Sequence, residues 1–209
     1  MPKFRNVRCF RWLINSLICL SIVSSATLVS AETETSAPGV IKTFNATLLD
    51  CMKRAKELDY SGRYKLLDPV VRDSFALSYM ASVSAGKHWK TLSEGQRRSL
   101  LDAYTEWSIA TYAGRFDDYS GEKFEVVPGS KPVRNTVTVI SKLIEPSKEE
   151  TVFYYKLRKI EGRWRIVDIQ ISGVSQLALT RAQFVSVIGG KGFDGLISML
   201  KDKIKHFSQ

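Results

Sequence analysis

Residues 187–197, VIGGKGFDGLI, bring four glycines and a lysine into one short stretch. Glycine-freed backbone amides with a lysine among them are the parts of a phosphate-cradling loop. Such a loop follows a strand, and its lysine precedes Ser or Thr. Here Phe184, Val185 and Ile188 continue a helical period, and Lys191 is followed by Gly192. The glycines are therefore expected to turn a helix–turn–helix corner. Gly189-Gly190 would supply the left-handed C-terminal cap, and Asp194 would open the last helix.

Hydrolytic chemistry needs a nucleophile, a base and a group that orients the base. The histidines are His88, beside Trp89, and His206, in what reads as a frayed tail. Neither has a carboxylate at a suggestive spacing, and two isolated histidines do not make a metal site. Asp117 and Asp118 are adjacent, so their side chains point apart into solvent. No GxSxG or CxxC occurs. Cys51 falls on a helical face, where it reads as a small core residue. Asn45-Ala46-Thr47 fits a glycosylation acceptor, but it lies inside a helical pattern rather than a loop. No catalytic residue, metal or cofactor is expected. If the chain were instead a small isomerase it would need a buried acid, and Asp168 is the first candidate.

The amino terminus sets the compartment in which any chemistry would occur. Lys3, Arg5, Arg8 and Arg11 precede an uncharged, mostly apolar run over residues 12–23, and Val29-Ser30-Ala31 matches a small-x-small cleavage site. Residues 1–31 read as a secretory signal peptide and 32–209 as a single domain, exported to the periplasm. The full chain carries +10 at pH 7, and the leader takes four of its basic residues without removing an acid. Cys9 and Cys19 leave with it, so Cys51 is alone and no internal disulfide can form. The remaining lysines and arginines are interspersed with acids, unlike the clustered footprint of a nucleic-acid binder. Anionic lipid headgroups are the more natural partner for that charge.

The elements follow from periodicity. Val40, Ile41, Phe44, Leu48, Met52 and Ala55 recur at helical spacing, and Ser61-Gly62 is expected to break that helix. Asp68-Pro69 reads as an N-cap with proline in the first turn, opening a helix that ends at Gly86. Ser93 and Gln96 have capping-box spacing ahead of a third helix rich in aromatics. Beyond Gly121 the period changes to that of strands. A strand around Phe124 and Val126 is closed by PGSKP (128–132), and strands over 135–144, 151–160 and 163–171 follow, the last pair joined by Glu161-Gly162. The fold class is α+β: N-terminal helices and a C-terminal helical pair on a curved, antiparallel, four-stranded sheet. Bulky residues on helix and strand faces can fill a core or wall a cavity.

Taken in order, Leu67-Asp68-Pro69-Val70-Val71, Gly86-x-x-Trp89, Ser93-x-x-Gln96-Arg97 and Thr111-Tyr112-Ala113 resemble the MlaC, or toluene-tolerance auxiliary, family. The ending agrees: Gly162-x-Trp164, Val167-Asp168, Ser172-Gly173-Val174-Ser175, Arg181-x-x-Phe184 and Gly192-Phe193-Asp194-Gly195-Leu196. Residues 110–126 and 175–184 look more like the hopanoid-associated HpnM branch. Ala76 departs from the pattern where many members carry an acid. The resemblance implies a cone like that of nuclear transport factor 2, with a lipid cavity between sheet and helices. It also implies a monomeric carrier of phospholipid or hopanoid, serving an inner-membrane ABC transporter complex and an outer-membrane lipoprotein complex. Contact with the membrane surface would be transient.

Inward faces of the expected elements give the candidate lining. From the helices these are Phe75, Met80, Leu101, Tyr104, Trp107 and Tyr112. From the sheet they are Val137, Val139, Tyr155, Leu157, Val167 and Ile169. A slip of one residue in register would reverse any strand's contribution. The competing readings are the isomerase and a structural adaptor with a filled core.

Overall fold

A computed structural model describes residues 36–127 and 135–208. The proposed signal peptide and the PGSKP turn lie outside the described residues. The described elements are α1 (Ala37–Lys53), α2 (Tyr60–Ser74), α3 (Leu77–Ala85), a 3-10 turn (Gly86–Thr91), α4 (Glu94–Arg115), β1 (Lys123–Val127), β2 (Thr136–Ile144), β3 (Glu150–Ile160), β4 (Arg163–Ile171), β5 (Val174–Ser175) and α5 (Gln176–Phe207). The strands form one antiparallel meander in the order β1-β2-β3-β4-β5. The α+β class is as expected, with the two-residue β5 added to the four anticipated strands.

The helix boundaries differ from expectation in three places. Ser61-Gly62 does not break a helix but lies in the first turn of α2, whose N-cap is Asp59. The Asp59 carboxylate accepts the Gly62 amide at 2.7 Å, and the Arg63 guanidinium pins the turn to the Leu58 and Ala113 carbonyls. Asp68-Pro69 is consequently inside α2 rather than at its start. Proline there forfeits a backbone hydrogen bond, yet Leu67 and Val71 are fully buried and hold the helix to the core. Asp68 instead receives Arg72 one turn later, at 2.7 Å.

The helix expected to run from Asp68 to Gly86 is divided at Phe75. Phe75 is extended (φ −103°, ψ 144°) and bridges to Ile166 of β4, while the Ala76 amide donates to the Ile166 carbonyl. This strand-like step fastens the helices to the sheet. At the far end of α3, Gly86 has φ +58°, and a Cβ there would meet Val185 at 2.8 Å; only glycine suits that corner.

The C-terminal corner falls two residues later than expected. Gly189 and Gly190 remain helical, and the interruption in α5 is Gly192 (φ 70°, ψ −176°). His206 lies in the last helical turn rather than in a frayed tail. The capping box of α4 forms as its spacing implies: Ser93 and Gln96 exchange hydrogen bonds of 2.9 and 3.2 Å. The hairpin residues Glu161 and Gly162 both have positive φ, as a tight two-residue turn requires.

Helix α1 lies across β1, β2 and β4, whereas α4 packs on α2, α3 and α5. Their buried faces meet in one core containing Ile41, Phe44, Leu100, Tyr155, Leu157, Ile166 and Phe184. Asn45 is buried in it and donates to the Ser141 hydroxyl at 2.8 Å, so the acceptor-like triplet presents no free asparagine. Among the described residues no helix is long and apolar enough to cross a membrane.

Candidate functional site: an apolar cavity between helices and sheet

The sheet and its helical cover do not meet everywhere. A cavity of about 560 Å³ lies between α4, the inner face of β3 and β4, and the first turns of α5. Its helical wall is Met80, Tyr104, Trp107, Ser108, Thr111 and Tyr112. Its sheet wall is Phe153, Tyr155, Ile169 and Ile171. These last four form two cross-strand pairs, Phe153 opposite Ile171 and Tyr155 opposite Ile169. Period-two geometry places all four on one face.

Rings hold the walls in place. Phe44 meets Phe75, Tyr112 and Tyr155 edge-on at centroid separations of 5.2, 5.1 and 6.3 Å. Tyr104, Trp107 and Phe184 form a second cluster, and Phe153 stacks on Tyr155. Edge-to-face pairs of this kind each add roughly 0.5–1.5 kcal/mol beyond burial. Burial also pushes the Tyr104, Tyr112 and Tyr155 hydroxyls above the ordinary phenol range. These phenols therefore stay uncharged well above neutral pH.

The exposed members of the lining mark the opening. They are Arg115, Glu145, Leu179 and Gln183, and Leu179 is 53% exposed. The lining also includes Glu122, whose carboxylate accepts the Ser120 and Gly121 amides. One cation and two acids make this rim polar without making it basic. Cys51 lies apart from the cavity wall, fully buried, with its thiol 3.4 Å from the Phe116 carbonyl.

Of the sequence candidates, Phe75, Met80, Tyr104, Trp107, Tyr112, Tyr155 and Ile169 stand on this wall. Leu101 does not; it faces a second cavity beyond Phe75. Val137, Val139 and Leu157 point inward but are core residues. Val137 pairs with Leu157, and Leu157 with Ile166, at the row that Phe75 closes by its bridge. Alternation identifies the inner face and does not say where along a strand the cover lifts away. Val167 is displaced for a different reason. The β3–β4 register shifts between Lys156 and Leu157, so Ile166 takes the inward position opposite Leu157.

The sequence reading missed Phe153 and Ile171, although both share parity with residues it chose. It also missed Thr111, which lies one helical turn from Trp107. Leu177, Leu179, Thr180 and Gln183 could not be found without knowing that α5 folds back over the opening. Asp168 is absent from the wall.

A curated relative, the intermembrane phospholipid transport system binding protein MlaC of Haemophilus influenzae, is 26% identical over 130 residues. That match spans 60% of this chain and 60% of the relative's length. A solved phospholipid-binding protein from Ralstonia solanacearum, in complex with a phospholipid, superposes with a TM-score of 0.71 at 20% identity. The superposition covers 81% of this chain and 97% of that one and establishes the shared fold. The family model described as MlaC protein matches residues 42–202. The chain belongs to the MlaC family.

Proposed function

We propose that this protein is a lipid carrier that holds acyl or polycyclic hydrocarbon in the cavity between α4, α5 and the sheet. The observation that carries the reading is a 560 Å³ space walled by uncharged aromatic and aliphatic side chains, within a fold shared with a phospholipid-bound protein. That volume falls in the range of about 300–1,000 Å³ that small-molecule sites occupy. The name of the Haemophilus relative supports phospholipid as cargo and transport between membranes as the task.

The energetics fit a carrier. Each methylene moved between apolar and aqueous surroundings is worth about 0.8 kcal/mol. Two chains with roughly thirty methylenes would cost on the order of 24 kcal/mol to expose. Shape and apolar lining suffice to hide them, so no catalytic residue is required. Release must then be driven by partners: in this reading, an inner-membrane ABC transporter complex and an outer-membrane lipoprotein complex. The signal peptide over residues 1–31 would place the carrier in the periplasm. Phospholipid and hopanoid, the latter suggested by the HpnM-like stretches, differ only in cargo.

The isomerase reading needs a buried acid facing the cavity; Asp168 is absent from the wall, and the acids that line it, Glu122 and Glu145, stand at the rim. Mass spectrometry of lipid extracted from the purified protein tests the proposal. Phosphate-bearing lipid or hopanoid identifies the cargo. Extracts without either, from protein purified without detergent, would overturn the carrier reading.

A further inference from the structure

Three phenols share the apolar cavity. Tyr155 projects from the inner face of β3, and Tyr104 and Tyr112 project from α4 on the opposite wall. Tyr112 and Tyr155 meet the same ring, Phe44, at 5.1 and 6.3 Å, so they flank one space. Burial raises the Tyr112 hydroxyl, and the Tyr155 and Tyr104 phenols add to the rise.

A buried tyrosine hydroxyl ordinarily finds a hydrogen-bond partner. Tyr155 is 2% exposed and Tyr104 3%, yet among the described residues neither hydroxyl, nor that of Tyr112, has a partner in hydrogen-bond geometry. The Ser84 hydroxyl lies near enough to Tyr104 to ease its rise but falls outside that geometry. The hydroxyls of the helical wall are spent differently. Ser108, Thr111 and Thr180 donate to the carbonyls of Tyr104, Trp107 and Gln176, one turn back. The phenols therefore keep their donors for a guest.

That guest must present an acceptor, and a neutral one. The cation of the lining, Arg115, stands at the rim, so an ionised oxygen between the walls would go uncompensated. Plain hydrocarbon would leave the hydroxyls unmet, which also costs free energy. We propose that Tyr104, Tyr112 and Tyr155 form a polar subsite within the hydrocarbon cavity that binds an uncharged oxygen of the cargo. An ester carbonyl of a glycerolipid and the hydroxyl of a polycyclic lipid share this chemistry. The subsite presupposes the carrier reading and supplies a means of selecting among equally apolar molecules, which apolar walls discriminate poorly.

Two matched pairs of probes test it: diester and diether phosphatidylglycerol with the same chains, and hopan-22-ol and hopane. Each pair is offered in equal amounts to the purified protein in vesicles of ether-linked phosphatidylcholine, and captured lipid is counted by mass spectrometry. The parent should favour the diester, or hopan-22-ol, by about fivefold, the worth of one neutral hydrogen bond. The Tyr112→Phe/Tyr155→Phe double variant should take both members of the pair alike and be at least as stable as the parent. A diester preference assigns the ester carbonyl and a hopan-22-ol preference the alcohol; either one, lost in the variant, supports the subsite. Uptake without preference, or a preference that survives in the variant, overturns the subsite and leaves the carrier standing. A variant less stable than the parent overturns it too, by giving the hydroxyls a structural partner. Protein that takes up no lipid from any vesicle overturns the carrier reading itself.

Discussion

The carboxylate of Asp168 accepts a 2.8 Å hydrogen bond from the Ser175 hydroxyl, and the same Ser175 oxygen accepts the Ala178 amide at 3.0 Å. Asp168 also takes the Leu177 amide at 3.2 Å, and Lys156 lies 3.7 Å from its other oxygen. An acid of β4 thus satisfies the Leu177 amide at the start of α5, where a negative charge is favoured, and holds the Ser175 hydroxyl that caps Ala178. Leu177, Leu179 and Thr180, which follow at once, line the cavity opening. The aspartate anchors the helix that forms the rim.

Asp168→Ala should therefore lower stability by about 1–3 kcal/mol, the cost of leaving buried polar groups unpaired. Denaturant unfolding checks the magnitude. Lipid content per folded molecule should stay near that of the parent. Abolished lipid content in a variant of parental stability would point to a direct role for the acid in the site.

Charge on the cavity wall should separate cargo from folding. Thr111→Arg places a cation among uncharged walls, on a helix surface that can accommodate it. The variant should unfold near the parental midpoint and copurify with much less lipid. Val139 is fully buried in the core, so Val139→Arg should cost more than about 4 kcal/mol and yield little soluble protein. Circular dichroism with lipid extraction distinguishes the two outcomes.

These two substitutions also show what the sequence makes legible. Capping chemistry, the α+β order and the inward face of each strand follow from local pattern, as the Ser93–Gln96 box and the Tyr155–Ile169 pair illustrate. Position along a strand does not. Val139 and Phe153 are equally inward by parity, but Val139 lies on β2, against which α1 packs, whereas Phe153 lies on β3 beneath the cavity. Nor does alternation survive a bulge, which is why Val167 yielded its place to Ile166. Asp68-Pro69 misled because Asp59, ten residues before the proline, had already opened the helix.

Burial raises the Cys51 thiol from 9.0 to about 11, with the Arg63 charge opposing the rise. The folded protein thus holds this proton more tightly than the unfolded chain. Its contribution, on the order of 3 kcal/mol, is complete below pH 9 and is lost as pH rises to about 11. Stability measured against pH should fall less steeply over that window in Cys51→Ala than in the parent. The native thiol should also resist alkylation at pH 8.5 and react on unfolding. Parallel curves for the two proteins, with rapid native alkylation, would contradict the buried state.

Leu179 is half exposed at the rim, where a hydrocarbon chain would have to pass. Leu179→Glu should leave stability within about 0.5 kcal/mol of the parent, as for other surface substitutions. It should slow the uptake of fluorescent phospholipid from anionic vesicles several-fold. Stopped-flow fluorescence reads the rate, and an unchanged rate would move the entry path elsewhere.

The most direct measurement is native mass spectrometry of the freshly purified protein beside Thr111→Arg. The parent should carry a mass increment equal to a lipid molecule, which collisional activation removes as an intact phospholipid or hopanoid, and the variant should be largely bare. A parent that flies without any adduct, or a Thr111→Arg variant loaded as fully as the parent, would contradict the claim that this cavity holds the cargo.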